Sequence, residues 1–183
     1  MSYKVPLAST TDFGSVKVGA GISVTDGVIS GSTGLLNYGF FSDGTQTNPV
    51  ASTANLATFS IIGPANGISV VGGTALTVVN AGVYTASYTL NVNKTSGGTS
   101  GISIWLRQGG VDIPGSSQSL DLINTLSTIF VSGNFTTSMT ANDNIQLCWS
   151  SADTTVSLLA IPAQVAPIRP TGASVKITLT RIS

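Results

Sequence analysis

The segment GVYTASYTLNV, residues 82–92, alternates so strictly that it fixes its own local structure. Tyr84, Ala86, Tyr88, Leu90 and Val92 share one side, and Val83, Thr85, Ser87, Thr89 and Asn91 share the other. Successive side chains of an extended strand point to opposite faces, so a period of two makes a sheet with one apolar face and cannot make an amphipathic helix. The pattern returns in GISIWLRQ (101–108), where Ile102, Ile104 and Leu106 oppose Ser103, Trp105 and Arg107. It returns again in DNIQLCWS (143–150), with Ile145, Leu147 and Trp149 together, and in SVKITLTR (174–181), with Val175, Ile177 and Leu179. Shorter strands are predicted at 36–42, 56–62, 67–71, 75–80, 127–136 and 155–161, and no stretch sustains a helical period.

Turn signals punctuate these runs: Gly72-Gly73, Asn80-Ala81-Gly82, Gly97-Gly98, Gly109-Gly110, Pro114-Gly115 and Asn142-Asp143. Many short strands at regular spacing, joined by glycine-rich turns, define an all-β sandwich or jelly roll. The first 34 residues differ. VPLASTTDFGSVKVGAGISVTDGVISGSTG holds only tiny strand-like units, Ser15–Val18 and Gly27–Ser30, too short to bury a core. They read as an arm (1–34) ahead of the sandwich domain (35–183), with the break near Ser30–Gly34.

The chain has no histidine and no glutamate, and 8% of its residues are charged, against about 25% in ordinary globular proteins. Its seven acids are all aspartate, and seven bases balance them to a net charge of zero. An apolar fraction of 42% excludes disorder. So little charge leaves a large exposed surface poorly solvated, which points to surface hidden against copies of the chain or within a larger assembly. Neutrality argues against nucleic acid as a partner. Membrane spanning is not expected, because the apolar stretch VSLLAIPAQVAPI is broken by Pro162, Gln164 and Pro167. MSYKVPLAST lacks the apolar region of a secretory signal. Cys148 is alone, so no disulfide framework exists within the chain.

Catalysis is poorly provided for. Triads that need histidine cannot be built, and a carboxylate pair would have to come from aspartates on separate loops. Asp12, Asp26, Asp43, Asp112, Asp121, Asp143 and Asp153 all lie in turn-prone contexts, which favours Asx-turn roles over a calcium site for which no motif is present. Cys148 points away from the Ile145/Leu147/Trp149 side and reads as a small packed residue rather than a reactive thiol. Gly19-Ala20-Gly21 lacks the lysine and helix of a phosphate loop, and Asn93-Lys94-Thr95 and Asn134-Phe135-Thr136 are read as chance sequons. No cofactor or metal ligand set is expected. Trp105, on the polar side of its strand, either covers the second sheet or serves an interface or ligand, and Tyr38, Phe40 and Phe41 share that ambiguity.

Five runs, NYGFFSDGTQTNPVA (37–51), VVNAGVYTASYTLNV (78–92), GISIWLRQGGVDIPGS (101–116), NDNIQLCWSSADTTVSLLAIPA (142–163) and ASVKITLTRIS (173–183), resemble a jelly-roll module of bacteriophage virion proteins. That module is similar to the tumour necrosis factor and complement globular-head superfamily. The segment before it resembles the N-terminal arms of phage head-fibre, decoration and tail-fibre proteins. The resemblance implies a homotrimer of jelly rolls with about ten strands each, packed by one sheet about a threefold axis. It implies a non-enzymatic structural protein on the virion surface, made in the host cytoplasm. Such a protein would be a capsid decoration, cement or head-fibre protein whose partners are itself and the major capsid protein or other virion proteins. A chain this short, starting at its own methionine, fits a capsid accessory better than a long-shafted fibre. Under this reading Val5, Leu7, Phe13, Val16 and Val18 are candidates for capsid attachment. Tyr38, Phe40, Tyr88 and Trp105 are candidates for the trimer interface or for exposed aromatics. A second reading is the receptor- or glycan-binding tip of a tail or neck fibre, with a host-surface glycan as partner; a glycan hydrolase is the third.

Overall fold

The computed structural model describes residues 22–25, 28–31, 36–123 and 128–183, and among them there is no helix. The chain divides into two units, Met1–Leu35 and Leu36–Ser183. In the first, Ile22–Thr25 pairs antiparallel with Val28–Gly31. Val5, Leu7, Phe13, Val16 and Val18, and the short unit predicted at 15–18, lie outside the described residues.

The second unit is built from β1 (Tyr38–Asp43), β2 (Ile61–Asn66), β3 (Ile68–Val71), β4 (Ala75–Val78), β5 (Gly82–Lys94), β6 (Ser100–Gln108), β7 (Gln118–Leu122), β8 (Thr128–Met139), β9 (Asn144–Ser151), β10 (Val156–Leu158) and β11 (Val175–Arg181). The first sheet runs β2-β1-β11-β5-β8, with β10 taking the β11 side of β5 beyond Leu90. The second runs β3-β4-β9-β6-β7. Short ladders at Gln46–Thr47, Asn55–Leu56 and Val111–Asp112 bring each sheet to seven strands. Counting β1, β4, β5, β6, β7, β8, β9 and β11 as first to eighth, one sheet holds 1-8-3-6 and the other 2-7-4-5. Two interlocked Greek keys in this order are a jelly roll.

The core is the sum of the inner faces. Tyr84, Ala86, Leu90, Val92, Ile177 and Leu179 from the first sheet are fully buried, as are Ile102, Ile104, Leu106, Ile145 and Leu147 from the second. The alternation that predicts the strands thus also predicts which residues meet. Two segments depart from the sequence reading. Residues 56–62 are not one strand: Leu56 pairs with Cys148 in the second sheet, whereas Ile61 pairs with Ser42 in the first. Ala57 and Phe59 stay buried across the gap, so the period of two continues through a change of partner. Strand β7 carries no clear signal in the sequence, because QSLDL buries only Leu122 and half-buries Leu120, as an edge strand can.

Tyr88 and Gly133 stand opposite each other on β5 and β8. A Cβ added at Gly133 would fall on the Tyr88 phenol ring, so the glycine is set by that ring. Gly133→Ala is expected to cost about 1–3 kcal/mol by overpacking, read as a lower urea midpoint. Combining it with Tyr88→Leu should be less than additive, because the smaller side chain removes the clash.

Candidate assembly face

The outer face of the first sheet is laid out by register. One row is Tyr38, Thr180, Thr85 and Thr136, and the next is Phe40, Thr178, Ser87 and Asn134. A third is Ser42, Lys176, Thr89 and Ser132, and beyond it Phe130 stands opposite Asn91. Hydroxyls and amides bond across the strands, with Thr85 Oγ1 and Thr136 Oγ1 3.1 Å apart and Asn134 Nδ2 donating to Ser87 Oγ at 3.1 Å. Lys176 is the single charged side chain in these rows. A shallow hollow of about 600 Å³ sits at their centre, bounded by Phe40, Ser87, Thr89, Ser132 and Lys176.

Apolar side chains rim this neutral face. Phe130 is 68% exposed, and Ile61, opposite Ser42 on the β2 edge, is 55% exposed. Phe130 also lines a cleft with Thr128, Leu159, Ile161, Pro162 and Arg169. From there a small hairpin, Gln164–Val165 with Ile168–Arg169, carries Val165 and Ile168 almost wholly into solvent. A face with one charge in its rows and exposed apolar groups at its rim is suited to cover by another protein surface.

The aromatic candidates separate onto three surfaces. Tyr38 and Phe40 lie on this face, Phe40 half-buried over Gly63. Tyr88 points inward and is 4% exposed, so it is a core residue rather than an exposed aromatic. Trp105 is half-buried on the outer face of the second sheet, with Nε1 donating to Asp112 Oδ1 at 2.8 Å. The sequence grouped them by type; only the assignment of each strand to a sheet separates them. It also gave no sign of Phe130, whose polar neighbours in FVSGNFTTS mask its place on the face.

Cys148, Asp43, Lys94 and Asp153 serve the fold. Cys148 is fully buried beside Trp105 and Leu56 in register, and burial pushes its thiol up to about 11, so at neutral pH it is not a thiolate. Asp43 accepts from Ser60 Oγ at 2.6 Å, Thr58 Oγ1 at 2.5 Å and the Gly44 amide at 2.7 Å. Desolvation pulls its pKa up, but these hydrogen bonds together outweigh it and hold it below the ordinary value. At the loop end of the sandwich, Lys94 is wholly buried, with Nζ donating to the Gly98 carbonyl and lying 3.7 Å from Asp153 Oδ2. Asp153 accepts from Thr155 Oγ1 at 2.7 Å, Ser100 Oγ at 2.7 Å and the Thr155 amide at 2.8 Å, bonds that draw its pKa down to about 2. Among the described residues, no three carboxylate or thiol groups come together as a metal site.

No sequence-family profile matches the chain, and no curated protein matches it. Among solved structures, two crystal structures of murine APRIL, at pH 8.0 and pH 8.5, are similar to it. They are 12% and 10% identical, cover 80% of this chain and 99% of their own, and give TM-scores of 0.47 and 0.46.

Because Asp153 is more acidic folded than its ordinary 3.8, the stability it contributes is present above about pH 4 and is lost as pH falls toward 2. Asp153→Asn should therefore lose less stability than the parent between pH 4 and pH 2, measured by chemical denaturation at each pH. At neutral pH the same variant should be less stable by about 3 kcal/mol, the low end for leaving a buried cation without its counter-ion.

Proposed function

We propose that this chain is a non-enzymatic structural protein that assembles with copies of itself, as a homotrimer, through the outer face of the first sheet. The observation that carries the reading is Phe130, 68% exposed at the edge of rows of Ser, Thr and Asn that hold one charge. Removing such a face from water gains the apolar burial without stranding charges, and short hydroxyl and amide side chains leave the sheet flat enough for close approach. The sparse charge of the whole chain supports the same reading.

The finer reading is that of a capsid decoration, cement or head-fibre protein on the surface of a tailed-phage virion. It draws on the resemblance of the five runs quoted above and of the N-terminal segment. In it the second unit is the knob, and residues 1–34, with Val5, Leu7, Phe13, Val16 and Val18, are the anchoring arm. The trimer would bridge neighbouring shell subunits and act mechanically.

Light scattering on the purified chain should return the mass of three copies. Phe130→Asp, which puts a charge on the face and leaves the core intact, should shift the protein to monomer with an unchanged unfolding midpoint. A parent that stays monomeric at high concentration overturns the assembly reading. Quantitative mass spectrometry of particles should find the chain in many copies per virion; a few copies would favour a fibre tip instead.

A further inference from the structure

The two sheets turn opposite faces outward, and the second carries a cluster that neither the core nor the assembly face uses. Trp105 and Arg107 alternate outward on β6, the Ile102/Ile104/Leu106 side facing the core. Just beyond, Gly109 (φ 56°) and Gly110 (φ 84°) make a tight turn in a left-handed conformation suited to glycine. The chain folds back so that Asp112 stands directly opposite Arg107. A single oxygen, Asp112 Oδ1, then accepts from Trp105 Nε1 at 2.8 Å and from Arg107 Nε at 2.8 Å. The indole is thereby fixed through its only polar atom. Oδ2 of Asp112 and the two terminal guanidinium nitrogens keep their hydrogen-bonding capacity, with no partner among the described residues.

This arrangement adds little to the fold. The Asp112 side chain is 59% exposed, and solvent-exposed ion pairs contribute almost nothing to stability. Yet it commits two of the chain's fourteen charged residues to one spot. Around it lie neutral polar groups: Gln146 beside Arg107 in register, and the Ser103–Ser119 hydroxyl pair, 2.9 Å apart, one row away.

We propose that Trp105, Arg107 and Asp112 form a binding platform for a neutral hexose unit of a glycan. The apolar C–H face of a pyranose packs on an indole held at fixed tilt. Its adjacent hydroxyls then need one acceptor and one planar set of donors at the ring edge, which Asp112 Oδ2 and the Arg107 guanidinium supply. Arg107 and Asp112 cancel in charge, and an acidic sugar would set its carboxylate against Asp112, so the platform selects neutral sugars. The platform does not depend on trimer formation. In a trimer joined by the first sheet it would be displayed three times, giving weak single sites the gain of simultaneous binding.

The test uses the full ¹⁵N-labelled chain, whose two tryptophans give two indole N–H resonances. Methyl glycosides of glucose, galactose, mannose and N-acetylglucosamine are titrated in turn, with sialic acid as the charged comparison. The Trp105 resonance should move saturably with at least one neutral sugar while that of the buried Trp149 stays in place. Asp112→Asn and Arg107→Gln should each weaken binding about tenfold, roughly one charge-assisted hydrogen bond. Trp105→Ala, which lacks the reporting indole, should show no saturable movement of the Arg107 and Asp112 backbone amides that the parent shows, with the rest of the amide spectrum preserved; if that variant fails to fold, Arg107→Gln carries the test. No saturable movement with any of the four sugars overturns the proposal, as does a response confined to Trp149, undiminished binding by Arg107→Gln, or sialic acid binding as well as the neutral sugars. Each of these outcomes leaves the light-scattering result on assembly untouched.

Discussion

Everything in the second unit depends on two sheets sharing one interior. A sheet alone leaves half its side chains against water, and here each sheet's apolar half is removed only by the other. Each Leu or Ile moved from water into that space contributes about 1.5–3 kcal/mol, offset largely by the cost of ordering the chain. The jelly-roll order suits this need, since successive strands mostly alternate between sheets and each crossover adds to both inner faces. The crossover from Leu56 to Ile61 shows the constraint locally: the backbone changes partner, but Ala57 and Phe59 go on filling the same core.

That shared interior explains what could be read from sequence. Strands β5, β6, β9 and β11 are central in their sheets, paired on both sides and apolar on one face, so alternation located them to within a residue or two. Edge segments were less legible. In β7 buried Leu122 and half-buried Leu120 are hidden among Ser, Gln and Asp, and Gln46–Thr47 pairs only at the rim. The candidate surfaces were legible by residue type but not by place. Tyr38, Phe40, Tyr88 and Trp105 are all aromatics in alternating runs, yet they occupy two opposite outer faces and the core, because a side chain's destination depends on which sheet its strand joins. Phe130 is the converse, a residue that gains meaning only from the strands beside it.

The few charges show how a nearly neutral chain spends them. Lys94 is placed where water cannot reach it and is held by a carbonyl and by an aspartate that three further donors keep ionised. This ties the loops around Gly98, Ser100 and Thr155 into one end of the sandwich. Asp43 does similar work at another loop, with two hydroxyls and the Gly44 amide as donors and no cation. Turn-prone aspartates are therefore knots between distant segments as well as local turn formers. Asp112 is the exception, exposed and joined to side chains that the core does not need.

The seclusion of Cys148 has a consequence for where such a protein can operate. Its sulfur has no exposure and is protonated at neutral pH, so oxidants and disulfide-exchange partners find neither access nor thiolate. With no other cysteine in the chain, the folded protein has no thiol–disulfide chemistry of its own to answer a change in redox potential. Moving it from a reducing to an oxidising solution would neither form nor break a disulfide within the chain.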